Sequence, residues 1–204
     1  MCQLCYNQEL NKILLCNWKE YGAKSLIEQW VQVMNKYQLN VYLAPPFPLL
    51  AYQTSIPLVA QTIDYEIGTG KVGGSCLSSI ECKYAMCGHA ELPGLDIRKQ
   101  VSQCIEYKLS PFVFITSILE CIWDNCVYIY EPHDKIGMDS TADPEEIAEI
   151  CSEIRNQTRC PVLYGGSVNE ENCKLISRYV DGLCVGRASR NLDQIKLIAT
   201  YLLQ

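Results

Sequence analysis

CVYIYEPHDKIG, residues 126–137, joins two things a chain seldom places side by side. Val127, Tyr128, Ile129 and Tyr130 have the β-branched and aromatic character of a buried strand. Glu131 follows at once, and then Pro132, which has no N–H to give a ladder and restricts the residue before it. A carboxylate at the end of an apolar strand needs a reason. That reason lies in what the strand's end faces, and so in how the rest of the chain is arranged around it.

Outward from this stretch, short β-type runs alternate with amphipathic patterns. KILLCN (12–17), VYLAP (41–45), IPLVAQ (56–61), KYAMCGH (83–89), PFVFIT (111–116), CVYIYE (126–131), CPVLYGG (160–166) and DGLCVG (181–186) read as eight strands. Residues 23–37 predict a helix, with Leu26, Ile27, Trp30, Val31, Val33 and Met34 near helical spacing. Further helices are predicted over 95–107, 170–178 and 192–203. Another covers ADPEEIAEICSEIR (142–155), whose first turn carries Pro and acids. A short segment spans 49–52. No linker or low-complexity run divides the series, so residues 1–204 read as a single domain of parallel α/β type.

Composition narrows the function classes. The chain has 204 residues, 17 of them basic and 23 acidic, for a formal charge of −6. No Lys/Arg run or basic stripe interrupts that balance, which argues against a nucleic-acid partner. No apolar run approaches the roughly 18 residues of a spanning helix. The opening MCQLCYNQEL lacks the basic-then-apolar order of a secretory signal. These features read as a cytoplasmic protein with no membrane partner. Of 13 cysteines, only Cys2 and Cys5 form a C-x-x-C pair, and no second pair accompanies it. Others, such as Cys16, Cys87, Cys126 and Cys184, lie in apolar contexts where Cys packs as a small hydrophobe. The odd count and the missing signal argue against a disulfide scaffold. With His89 and His133 as the only histidines, no metal site is expected.

Eight parallel strands can close into a barrel or lie in an open doubly wound sheet. Asn17-Trp18-Lys19, Gly88-His89, Glu131 and Gly165-Gly166-Ser167 each fall just past a strand's C-terminal end. In a (βα)8 barrel those ends converge on one face, where the loops build the active site. One polar strand end is ordinary; their joint occurrence points to the barrel.

In order and along nearly the whole chain, these endings resemble the triosephosphate isomerase family. NWK (17–19) is similar to its first-strand motif, and CGHAE (87–91) to its fourth-strand histidine motif. YEPHDKIG (130–137) resembles its sixth-strand glutamate and the lid after it. LYGGSV (163–168) and DGLCVGRAS (181–189) resemble its two phosphate-binding loops. The resemblance implies a TIM barrel and a glycolytic and gluconeogenic isomerase. It would interconvert dihydroxyacetone phosphate and glyceraldehyde 3-phosphate through an enediolate, with neither metal nor organic cofactor. Glu131 would be the base that shuttles the proton. His89 would polarise the carbonyl as neutral imidazole, its pKa held down by the N-terminus of the segment after it, a pairing taken over from the family. Lys19 would supply a fixed positive charge, Asn17 a further donor, and Glu91 is retained with this catalytic set. Backbone N–H groups at Gly137, Gly165, Gly166 and Gly186 would grip the phosphate, because no Cβ blocks approach there. Ser167 would donate to the phosphate or latch the closed lid. Pro132 would fix the hinge of a lid that excludes water.

The chain also departs from the family. It is short for a fold of roughly 250 residues. Only SILECIWDN (117–125) separates the fifth and sixth strands, less than the roughly 10–12 residues a crossover needs. The fifth helical unit is therefore expected to be reduced or missing. Ala90-Glu91-Leu92 stands where the family has Ser-Glu-Arg. KVGGS (71–75) stands where it has a Phe-Thr-Gly-Glu loop that reaches into the partner subunit. Ser75 and Leu92 thus replace both ends of an ion pair, which leaves no orphan charge. The homodimer implied by the family is expected with an altered interface, or not at all. In the lid, His133-Asp134 replaces an apolar-Trp pair and Asp139 a glycine. Arg187 replaces the second glycine of the last loop, where it either pairs with the phosphate or obstructs it. Since fold does not fix function, the alternative reading is a non-catalytic or weakly active barrel that binds a partner or a phosphorylated metabolite. An isomerase acting on another small sugar phosphate is a third.

Overall fold

The computed structural model describes residues 11–66, 68, 70–92, 94–118, 123–132 and 141–204. Its strands are β1 (Ile13–Asn17), β2 (Asn40–Ala44), β3 (Val59–Ala60), β4 (Tyr84–Cys87), β5 (Ser110–Ile115), β6 (Val127–Tyr130), β7 (Val162–Tyr164) and β8 (Gly182–Val185). All pair in parallel, in the order β2-β1-β8-β7-β6-β5-β4-β3. The seam between β2 and β3 carries one isolated bridge, Leu43 to Leu58, where the Leu43 N–H donates to the Pro57 carbonyl at 3.1 Å. The result is a nearly closed, shortened (βα)8 barrel.

The helices between them are α1 (Lys24–Met34), α2 (Gly74–Ser79), α3 (Ile97–Glu106), α4 (Pro144–Thr158), α5 (Cys173–Ile176) and α6 (Leu192–Leu202). Local chemistry starts three of them. Asp96 caps α3 through the Arg98 and Lys99 N–H groups, Asp143 caps α4 through Glu145, and Asn191 caps α6 through Asp193 and Gln194. Each cap satisfies donors that a helix's first turn leaves free. Among the described residues no α-helix lies between β5 and β6, as the short crossover requires. Helix α2 was not expected. Its first residue, Gly74, lies under the Tyr107 ring, where a Cβ would come within 2.2 Å of Cδ2. Helix α5 is shorter than its sequence pattern. No helix among the described residues is long and apolar enough to cross a membrane.

The strands sort their side chains by parity. Ile13, Leu15, Tyr42, Ala44, Val59, Met86, Phe112, Phe114, Val127, Ile129, Leu163 and Cys184 form one buried cluster, the filling of the ring. The residues between them, such as Leu14, Cys16, Leu43, Cys87, Val113, Tyr128, Tyr164 and Leu183, pack outward in a second cluster with Ile27, Trp30, Val101, Ile147, Ile154, Ile195 and Ile198 of the helices. Nine of the ten described cysteines are buried, and Cys76 is exposed. Continued past the strand ends, the inward parity selects Asn17 after Leu15, Glu131 after Ile129, Gly165 after Leu163 and Gly186 after Cys184. The carboxylate that ends an apolar strand therefore faces the mouth of the barrel.

Candidate active site

A cavity of about 420 Å³ opens at that mouth. Of the residues expected at the site, Asn17, Lys19, His89, Glu91, Glu131, Gly165, Ser167, Gly186 and Arg187 line it. Five remote stretches of sequence thus meet around one space. Gly137 lies outside the described residues, as do His133, Asp134 and Asp139. Gly166 sits against Tyr164, whose hydroxyl oxygen a Cβ would approach to 2.4 Å.

Glu131 is 8% exposed, and its Oε2 is buried with no hydrogen-bond partner among the described residues. Burial raises its pKa to about 7, with Lys19 pulling it down and Glu91 pushing it up. A desolvated carboxylate at that value exchanges a proton readily near neutral pH. Gly165 makes room for it: a Cβ there would meet Ile129 Cγ2 at 2.9 Å and Glu131 Oε1 at 3.5 Å. The Gly165 N–H, expected to face a phosphate, instead donates to the Tyr130 carbonyl at 2.9 Å. Gly165 therefore serves by its small size.

His89 leaves the strand parity because Gly88 turns the chain at φ +75°. Its ring lies edge-on to Phe114 with centroids 4.6 Å apart. Nδ1 accepts the Glu91 N–H at 3.3 Å, which places the ring proton on Nε2. Asn17 Nδ2 lies 3.5 Å from that Nε2. Both are donors in that tautomer, so they do not satisfy each other. Burial lowers the His89 pKa, Glu91 opposes that and Lys19 adds to it. The cause is therefore burial, because the segment after His89 is a turn, with the Leu92 N–H donating to its carbonyl at 3.0 Å, and α3 begins only at Ile97.

Lys19 adopts φ +55°, a left-handed conformation that costs a non-glycine residue about 1–3 kcal/mol. Asn17 Oδ1 accepts the Lys19 N–H at 2.9 Å. On the other side, Gln61 Nε2 donates to the Lys19 carbonyl at 2.6 Å and the Ala44 carbonyl at 3.0 Å. The Lys19 ammonium ion-pairs with Glu91, both half-exposed. Gln61 was not singled out in the sequence, although it continues the inward parity of β3.

At the far end, Ser167 sits at φ +51°, and its carbonyl accepts from Asn172 at 3.0 Å. The Ser189 N–H and hydroxyl both donate to the Gly186 carbonyl, at 3.0 and 2.7 Å. Glu170 and Gln194, joined by a 2.7 Å hydrogen bond, also line this end and were not anticipated. Lys71, in the loop expected to differ from the family's, pairs with Glu66 at 2.7 Å and Asp64 at 3.6 Å. Among the described residues no three His, Cys, Asp or Glu side chains gather as metal ligands would.

Comparison with known proteins points to one family. The model of the triosephosphate isomerase family matches residues 12–120 and 114–202. The chain is 29% identical to the triosephosphate isomerase of Mesomycoplasma hyorhinis, over 94% of this chain and 95% of that protein. It is 25% identical to that of Aquifex aeolicus, over 88% and 95%. It is 28% identical to the chloroplastic enzyme of Secale cereale, over 85% and 76%.

Proposed function

Because the chain belongs to the triosephosphate isomerase family, we propose that it interconverts dihydroxyacetone phosphate and glyceraldehyde 3-phosphate. The observation that carries this reading is Glu131, buried, unpartnered at Oε2 and raised to about 7, facing the cavity that His89, Asn17 and Lys19 also line. Glu131 takes the proton from the carbon beside the carbonyl and returns it to the neighbouring carbon. His89 Nε2–H and Asn17 Nδ2–H converge on the oxygen where negative charge develops, and donors fixed in advance do not have to reorganise as it forms. The Lys19 ammonium offsets both the enediolate and the phosphate. Glu91 holds Lys19 by its carboxylate and fixes the His89 tautomer by its N–H.

The phosphate lies at the end built by Ser167, Gly186 and Arg187, with Gly166 shaping the loop; the backbone contact expected of Gly137 falls outside the described residues. The exposed Arg187 guanidinium matches a phosphate's geometry as a point charge would not. No metal or cofactor takes part. Ser75 and Leu92, standing where the family has the two ends of an ion pair, support an altered homodimer interface, or none.

A coupled assay for triose phosphate turnover tests the proposal on the wild type and on Glu131→Gln. Turnover in the wild type, falling by about 10²–10⁴ in the variant, supports the isomerase. Equal rates for the two proteins reject it in favour of a barrel that only binds a phosphorylated metabolite or a partner.

A further inference from the structure

A second cavity, of about 520 Å³, adjoins the first and shares Asn17, Lys19, His89, Glu91 and Arg187 with it. The shared side chains are the rim over which a ligand held in one recess would reach the other. Arg190 lines the second cavity only. Arg187 and Arg190 belong to the 3₁₀ turn after β8, whose three-residue repeat sets them on one side. The Arg190 guanidinium lies 4.0 Å over the Tyr21 ring, and its Nε points to the Arg187 carbonyl at 3.5 Å. Among the described residues neither arginine pairs with a carboxylate. Of the two acids that line this cavity, Glu91 is already engaged by Lys19, which leaves Glu20 against two guanidinium groups in the balance of charge.

We propose that this second cavity is a subsite for a second anionic group. On the reading that the main cavity holds a sugar phosphate, the site then accepts sugars longer than three carbons with a phosphate at each end, as substrates or competitors. One phosphate occupies the Ser167–Gly186 end and the reacting carbons lie between Glu131 and His89. The chain continues past the Lys19–Glu91 pair to the second phosphate at Arg190. Arg187, which borders both spaces, is the element that joins them. Guanidinium groups suit this task, since their planar donors meet phosphate oxygens in pairs.

Calorimetric titration of the full chain with ribulose 1,5-bisphosphate and with inorganic phosphate tests the subsite without requiring turnover. The wild type should bind the bisphosphate at least about tenfold more tightly than phosphate, the effect expected of one added charge-assisted contact. Arg190→Gln should lower bisphosphate affinity about tenfold more than phosphate affinity, and Arg190→Lys should retain part of the difference. Equal wild-type affinities for the two ligands would overturn the proposal. So would an equal loss for both in Arg190→Gln, which would mark general damage. A protein silent in the isomerase assay that still shows the Arg190-dependent difference keeps the subsite and loses only the activity. An active isomerase without that difference keeps the activity and loses only the subsite.

Discussion

Glu131→Gln should make the protein more stable, and only above a particular pH. The wild-type carboxyl is raised from 4.5 to about 7 by burial, so the native state holds its proton over an interval in which the unfolded chain has released it. Below the unfolded value both states are protonated and the group contributes nothing. As pH climbs toward 7 the unfolded state binds fewer protons, so stability falls. Above 7 the full penalty is present. At roughly 1.4 kcal/mol per unit it comes to about 3 kcal/mol. Gln cannot ionise and escapes that penalty. Its NH₂ replaces an oxygen that already lacks a partner, and any cost from that exchange is the same at every pH. Urea unfolding of both proteins at pH 4 and pH 8 isolates the effect. The variant's advantage should be about 2–3 kcal/mol larger at pH 8 than at pH 4. An advantage that does not change with pH would refute the claim that the carboxylate is buried at a penalty, and with it the basis for its poised proton.

On the proposed isomerase reading, in which Glu131 acts as a deprotonated base, kcat/KM for triose phosphate should rise about tenfold per pH unit up to about 7 and then level; a steady-state profile reads this. Gln61→Ala releases the Lys19 carbonyl from its 2.6 Å clamp and should lower kcat/KM by about 10–100-fold, the scale on which a misplaced group slows catalysis. The accompanying loss of stability should be only about 1 kcal/mol, which urea unfolding beside the rate assay separates from the effect on turnover. Gly182→Ala should destabilise by at least about 2 kcal/mol. Its Cβ would stand 2.1 Å from the Ile13 carbonyl oxygen, a backbone atom of the adjoining strand. Gly70→Ala, with nothing within 4 Å of its Cβ, is the neutral control.

The barrel was legible because eight apolar runs alternate with helical patterns, and the site because polar residues follow those runs. Strand ends marked Asn17, Glu131 and Gly165, and the structure shows why: with Gly186 they extend the inward rows of their strands. His89 carries the same strand-end signal but sits off that parity, because Gly88 turns the chain before it. What a residue does with its backbone was also hidden. Gly165 looked like a phosphate donor, yet its N–H is taken by Tyr130 across the β6–β7 pair. Gln61 carried the same strand-end signal as Asn17 but was absorbed into an apolar run. Helix α2 has little helix-forming character of its own; Leu77 and the Tyr107 ring over Gly74 hold it in place. Glu170 and Gln194 come together through a contact 24 residues apart, which no local pattern announces.

The sequestered cysteines bear on how this protein is lost. While the barrel is folded, nine of the ten described thiols are shielded from oxidants and from one another's chains. Heating past the transition releases them together, and thiols that meet in air form cross-links that no cooling undoes. Aerobic thermal scans then measure the rate at which molecules are trapped rather than an equilibrium. A reductant in the buffer turns a one-way loss into a reversible transition without altering a single native contact.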